Sequence, residues 1–227
     1  MRSQIKVSAS VSCMDLCNLE RSIEEVEQSE VAFYHFDVVD GRFNTCFILG
    51  ETTLQQMKEK VSLPIEVHLA VYEPEKYIER FIEAGADYVA VHYEAMKEPL
   101  KVFDQIRQLG ATPVLTFRAD TSPEEDFITL AKEVPWVLKL LVNPGFAGQQ
   151  MQTAAVEHVL EMRKRIDHAS LDTQIQADGN INLHTIPTVI AAGASILTGG
   201  SSGLFNGNIK QNCKDMIACA EMMIKGR

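Results

Sequence analysis

The stretch VAFYHFDVV at residues 31–39, with IEVHLAV at 65–71, decides how this chain is read. Both runs are rich in β-branched and aromatic residues, as strands are, yet each carries an imidazole or carboxyl group in its apolar body. Alternate side chains of a strand share a face, so His35 and Asp37 point the same way. A third run, TQIQADGN from Thr173, ends on Asp178 just before a glycine. Two histidines and two aspartates at the ends of β runs make a four-ligand set for a divalent metal, provided the fold brings distant segments together.

Working outward, short β-rich runs begin at Ile5, Val31, Ile65, Tyr88, Thr112, Trp136, Thr173 and Ser195. Between them lie stretches with helical spacing, such as PEKYIERFIEAG, PLKVFDQIRQLG and AAVEHVLEMRKRI. Glu73-Pro74-Glu75 and Ser122-Pro123-Glu124 mark helix starts, and Gly85 and Gly110 mark stops. Eight strand–helix units with no linker or low-complexity segment predict an α/β protein, and suit one closed (β/α)8 TIM barrel over residues 1–227 better than an open doubly wound sheet, which can use the same alternation. In such a barrel, active groups sit at the carboxyl ends of the strands. His35, Asp37, His68 and Asp178 come late in the second, third and seventh runs, so they meet at the barrel mouth.

Composition narrows the partners. The formal net charge is −10 and there is no block of Lys or Arg, which argues against nucleic acid or an acidic membrane surface. A small phosphorylated ligand needs only a local nest of backbone N–H groups and stays open. No run of about 18 apolar residues is present to span a membrane, and the N-terminus lacks the apolar core of a signal peptide. The five cysteines, Cys13, Cys17, Cys46, Cys213 and Cys219, are odd in number and scattered, which predicts reduced thiols in a cytoplasmic protein. There is no GxxxxGK[ST] loop and no complete GxGxxG fingerprint, so no nucleotide cofactor is expected. Two glycine-rich segments, Gly145-Phe146-Ala147-Gly148 and Gly199-Gly200-Ser201, follow the sixth and eighth runs and offer N–H groups to a phosphate.

SVSCMDLCNLE, HFDVVDGRF, EVHLAV, EPEKYIERFIEAGAD, VNPGFAGQ, ADGNI and AGASILTGGS, in this order and spacing, resemble the ribulose-phosphate 3-epimerase family over essentially the whole chain. SCMD, PGFAGQ and GGSSGLFN are similar to its D-allulose-6-phosphate 3-epimerase branch. The resemblance implies a barrel holding one divalent metal (zinc, iron, manganese or cobalt) on His35, Asp37, His68 and Asp178, with Asp37 and Asp178 also the acid/base pair. It implies that Ser10 and His68 contact substrate, and that Gly145 to Gly148, Gly179, Asn180, Gly200 and Ser201 hold the substrate and its phosphate. Homo-oligomers, dimers or hexamers, are implied as well.

The chain also departs from the family. Val39, Ala70 and Leu140 stand where methionines usually roof the site, Asn180 replaces the second glycine after the catalytic aspartate, and Ser12 replaces a leucine. Asn180 carries a Cβ, so its loop is expected to differ.

The residue types suit epimerisation beside a ketone. Two carboxyl groups on opposite faces of a sugar remove and return a proton without turning the substrate. A divalent metal stabilises the enediolate charge between those steps. The expected activity is therefore 3-epimerisation of a phosphorylated ketose, D-allulose 6-phosphate/D-fructose 6-phosphate first and D-ribulose 5-phosphate/D-xylulose 5-phosphate next. The alternatives are a non-catalytic sugar-phosphate-binding barrel and a sugar-phosphate lyase or decarboxylase. The lyase class uses a DxKxxD pattern, and DVVDG has no lysine in that place. Asp40 before Gly41 reads as a turn residue, and His92 as either structural or supporting.

Overall fold

Nine strands organise the chain in the computed structural model, which describes residues 4–143, 145 and 148–225. They are β1 (Lys6–Ser10), β2 (Phe33–Asp40), β3 (Phe47–Ile48), β4 (Ile65–Ala70), β5 (Tyr88–His92), β6 (Thr112–Phe117), β7 (Trp136–Leu140), β8 (Gln174–Asp178) and β9 (Ile196–Gly199). All neighbours pair in parallel except β3, a two-residue strand antiparallel to β2. Pairing of β1 with β2 closes the other eight into a ring, so the fold is the expected single-domain TIM barrel with one added hairpin strand. Closure removes every strand edge of the ring, and the parallel connections require the intervening helices.

Those helices are α1 (Leu19–Glu27), α2 (Glu51–Lys58), α3 (Ile78–Glu83), α4 (Pro99–Gln108), α5 (Phe127–Ala131), α6 (Thr153–His168), α7 (Ile186–Ala192) and α8 (Ile209–Lys225). Gly85 and Gly110 follow α3 and α4 with φ of 115° and 91°, the left-handed stop their sequence context predicts. Ser122-Pro123-Glu124 does not start a helix, because α5 begins only at Phe127. The first turn closes later, from Glu124 O to the Phe127 N–H at 3.2 Å. Thr121 O accepts from the buried Lys139 amine at 2.6 Å, and Glu124 O accepts from Arg165 at 2.8 Å.

Strand alternation separates two apolar regions. One set of side chains packs outward under the helices, including Val7, Phe36, Val67, Leu69, Val89, Val91, Leu115 and Ile175. The other set fills the barrel with Phe33, Ala90, Val114, Trp136, Leu138, Leu140 and Ile196. Because both faces of β4 are covered, its six residues are all buried, Glu66 and His68 among them. A buried charge in that interior demands partners, and the upper layers of the barrel supply them.

Candidate metal and catalytic site

Register places the site before any side chain is considered. Asp37 on β2 stands directly beside His68 on β4, and Ser10 on β1 beside His35 on β2. Asp178 ends β8, where it pairs with Leu140 of β7. The barrel thus brings His35, Asp37, His68 and Asp178 together, with one candidate ligand atom from each lying within 4.8 Å of the others. Asp37 Oδ1 is 3.0 Å from His35 Nε2 and 3.0 Å from His68 Nδ1, while Asp178 Oδ2 is 3.7 Å from His35 Nε2. Donor atoms bound at about 2.0–2.2 Å to one cation lie at about these separations from each other, so the His2Asp2 set fits a divalent ion.

Support behind the histidines strengthens that fit. His35 Nδ1 lies 2.5 Å from Glu66 Oε2, the carboxylate–histidine arrangement that leaves Nε2 bare for a metal. Glu66 is wholly buried and also accepts from Gln176 Nε2 at 2.9 Å and Trp136 Nε1 at 2.8 Å. Three partners offset the desolvation of its charge. Behind His68, Nε2 is 2.9 Å from His92 Nε2, and His92 Nδ1 is 3.1 Å from Glu94 Oε2.

The two aspartates are held differently. Asp37 Oδ2 accepts from Ser12 at 2.9 Å and from Ser10 at 3.1 Å, and the two hydroxyls are 3.0 Å apart. Burial works to raise Asp37, but His35 and His68 overcome it and hold the carboxyl well below the usual range. For Asp178, burial dominates and Asp37 adds to it against the pull of His35, pushing the carboxyl up to about 6. His35 is moved well above its ordinary value because Asp37 and Glu66 outweigh its burial. One acid is kept ionised and the other is poised to carry a proton near neutrality, the separation an acid/base pair needs.

A cavity of about 370 Å³ opens over these groups. Ser10, Asp37, His68, Asp178, Gly145, Gly148, Gly179, Asn180, Gly200 and Ser201 all line it. Phe146 and Ala147 fall outside the described residues. Among the described residues, no Lys or Arg lines the cavity. Gly179, Asn180, Gly200 and Ser201 have no backbone acceptor for their N–H groups among the described residues, which leaves these neutral donors available to a ligand.

Two departures take on a definite form. Asn180 adopts φ of 54°, the left-handed conformation that asparagine tolerates, so the loop keeps its glycine-like backbone despite the Cβ. Its Oδ1 accepts from Asn182 Nδ2 at 3.1 Å, which fixes the side chain. Val39 and Leu140 line the cavity, but Ala70 does not; it is buried with Val39 and Phe43 behind the wall. Asp40 is the turn residue expected, accepting from the N–H groups of Arg42 and Phe43.

Sequence reading missed Glu66, Gln176, Trp136 and Glu94 as parts of this site, and named Ser12 only as a departure from the family. The signal for two of them was available. Glu66 is two residues before His68, and Gln176 is two before Asp178, so each shares its ligand's face by the rule that joined His35 to Asp37.

With this geometry in place, comparison with known proteins is informative. Residues 6–205 match the family described as the Ribulose-phosphate 3 epimerase family. The chain belongs to that family. It is similar to a ribulose-phosphate 3-epimerase of Methanocaldococcus jannaschii, 31% identical over 212 residues that cover 93% of this chain and 89% of that protein. A second, from Bacillus subtilis, is 32% identical over 199 residues, covering 87% of this chain and 91% of that one. Membership places the chain among the carbohydrate epimerases, a class of isomerases. The fold is also similar to 3-hexulose-6-phosphate synthase from Salmonella typhimurium, with a TM-score of 0.68 at 14% identity, covering 96% of this chain and 100% of that one. At that identity the likeness concerns the barrel alone.

Proposed function

We propose that this protein is a metal-dependent 3-epimerase of a phosphorylated ketose, with His35, Asp37, His68 and Asp178 as the metal ligands and Asp37 and Asp178 as the acid/base pair. The observation that carries the reading is the convergence of these four side chains, one ligand atom from each within 4.8 Å of the others, with Asp37, His68 and Asp178 lining one cavity. A divalent ion held there supplies Lewis-acid polarisation of a ketone and its neighbouring hydroxyl. One of Asp37 and Asp178, ionised, takes the proton from carbon 3 on one face, and the other, protonated, returns one on the opposite face. In the reverse direction the two exchange duties. Ser10 and Ser12 hold Asp37 Oδ2 in place, so the carboxylate does not have to reorganise as it receives the proton.

The N–H groups of Gly179, Asn180, Gly200 and Ser201 take the phosphate, joined by the segment from Gly145 to Gly148. The names of the similar proteins support D-ribulose 5-phosphate and D-xylulose 5-phosphate as the substrate pair. The SCMD, PGFAGQ and GGSSGLFN segments support a second pair, D-allulose 6-phosphate and D-fructose 6-phosphate. No helix among the described residues is long and apolar enough to cross a membrane. All five cysteines are free, which supports a cytoplasmic setting. Association of copies into a dimer or hexamer belongs to the same reading.

The test is to assay both substrate pairs with protein loaded with Mn, Co, Fe or Zn, following deuterium uptake from solvent at carbon 3. Turnover with exchange supports the epimerase and identifies its sugar. Tight binding without exchange would make the protein a sugar-phosphate sensor, and no binding of either pair would overturn the proposal.

A further inference from the structure

His92 is wholly buried on β5, packed between His68 and Phe43, and the proposed reaction gives it no task. Its Nε2 is 2.9 Å from the Nε2 of His68. Two imidazole nitrogens at that distance share one hydrogen, so one donates and the other accepts. On the far side of the ring, Nδ1 is 3.1 Å from Glu94 Oε2. Glu94 Oε1 meanwhile accepts the Arg118 N–H at 2.7 Å. An ionised carboxylate only accepts, so His92 Nδ1 carries the hydrogen.

Direction then propagates inward. A neutral His92 bearing its hydrogen on Nδ1 has a bare Nε2, and that atom accepts from the Nε2–H of His68. With a cation bound, His68 turns a lone pair on Nδ1 towards it, the atom that lies 3.0 Å from Asp37 Oδ1 and faces the ligand cluster. Every hydrogen in the row points away from the site, from His68 to His92 to Glu94. Were the row reversed, Nδ1 of His68 would carry hydrogen and could bind no cation.

We propose that His92 and Glu94 are positioning residues that fix the tautomer of His68, reserving its Nδ1 lone pair for the metal. This rests on reading the His2Asp2 cluster as a metal centre. The two histidine ligands offer opposite nitrogens, Nε2 from His35 and Nδ1 from His68, so each needs its own acceptor. Glu66 meets His35 directly, whereas the back of His68 faces an imidazole and its carboxylate stands one residue further out. Phe43 covers the relay, its ring 4.5 Å from that of His92, with Arg118 lying 4.6 Å over the outer face of Phe43. His92 itself is wholly buried, so water does not stand in for its ring.

Three variants separate tautomer control from packing. His92→Gln offers an oxygen to His68 and an N–H to Glu94, preserving the direction of the row. His92→Leu offers neither. Glu94→Gln gives His92 Nδ1 a donor to accept from and so allows the reversed row. Zinc dissociation constants are measured by chelator competition on the folded proteins, and ¹⁵N–¹H correlation spectra of the zinc-loaded parent read which ring nitrogens carry hydrogen.

The expected result is hydrogen on Nε2 of His68 in the parent, with zinc affinity lowered about 10–100-fold in Glu94→Gln and His92→Leu but largely restored in His92→Gln. Hydrogen on Nδ1 of His68 in the loaded parent, or parent-like affinity in both Glu94→Gln and His92→Leu, overturns this inference alone. Failure of the parent to bind zinc at the cluster overturns the metal reading and the inference with it.

Discussion

Asp37 and Asp178 both lie against His35, yet the same burial leaves one carboxyl well below its ordinary range and the other at about 6. The difference is in their neighbours. Asp37 has both imidazoles and two serine hydroxyls within hydrogen-bond distance, while Asp178 meets His35 at 3.7 Å and feels His68 from further off. Replacing either acid by its amide should remove proton transfer while keeping shape. Asp37→Asn and Asp178→Asn are each expected to lower epimerisation by about 10²–10⁴-fold or more, with the barrel intact by circular dichroism. Substantial turnover by either variant would refute the two-acid assignment.

Metal removal gives a second prediction. Dialysis against a chelator should abolish turnover, and Mn, Co, Fe or Zn should restore it. The loaded protein should also melt at a higher temperature than the stripped one, because an ion that binds only the folded ring stabilises it. Equal melting temperatures with full activity in chelator would count against a metal centre.

A third prediction concerns the loop after β8. Gly179 has φ of 118°, and a Cβ there would lie 2.7 Å from Val142 Cγ2 and 3.0 Å from the Val142 nitrogen. Gly179→Ala therefore meets both strain and collision, and should destabilise the fold by roughly 1–3 kcal/mol and raise KM. Asn180→Gly should be tolerated, since Asn180 already holds a conformation that glycine adopts freely. Thermal melts and KM values for the two variants check the contrast; equal effects would refute it.

Acid stability supplies a fourth. Burial pushes His92 down to about 4, with His68 and Arg118 adding to it and Glu94 opposing. The unfolded chain takes up that proton near the ordinary histidine value of about 6.5, the folded chain only near 4. Stability contributed by neutral His92 is thus complete above about 6.5 and falls as the pH drops from there to 4, by on the order of 3 kcal/mol. Metal-free His92→Gln has nothing to titrate at this position and should show a flatter profile. Urea midpoints from neutral pH down to 4 decide it, and parallel profiles for parent and variant would sink the prediction.

The barrel and the four central side chains were legible in the sequence because both depend on local period. Strand alternation fixes which residues share a face, and eight repeats of strand and helix leave few ways to close. Glu66 and Gln176 obey the same period and were passed over because glutamate and glutamine are ordinary surface residues; only closure of the ring shows that they are buried. Glu94, and the bond from Ser12 to Asp37, were out of reach in a different way. Each residue lies just past the end of a strand, where turn geometry rather than alternation aims the side chain. Ser122-Pro123-Glu124 misled because the first turn after it closes only from Glu124 O to the Phe127 N–H, and the helix begins there. Of the three roof positions Val39 and Leu140 line the cavity, while Ala70 packs with Val39 and Phe43.

The donors around Gly179 and Gly200 have a consequence for how a ligand arrives. Backbone dipoles act over a few ångströms, and no side-chain cation among the described residues lining the cavity extends their reach. The protein as a whole carries a net charge of −10, so a phosphorylated sugar is repelled until it is nearly seated. Salt should then hasten capture by screening that repulsion, the opposite of the slowing seen where a basic surface steers its ligand in.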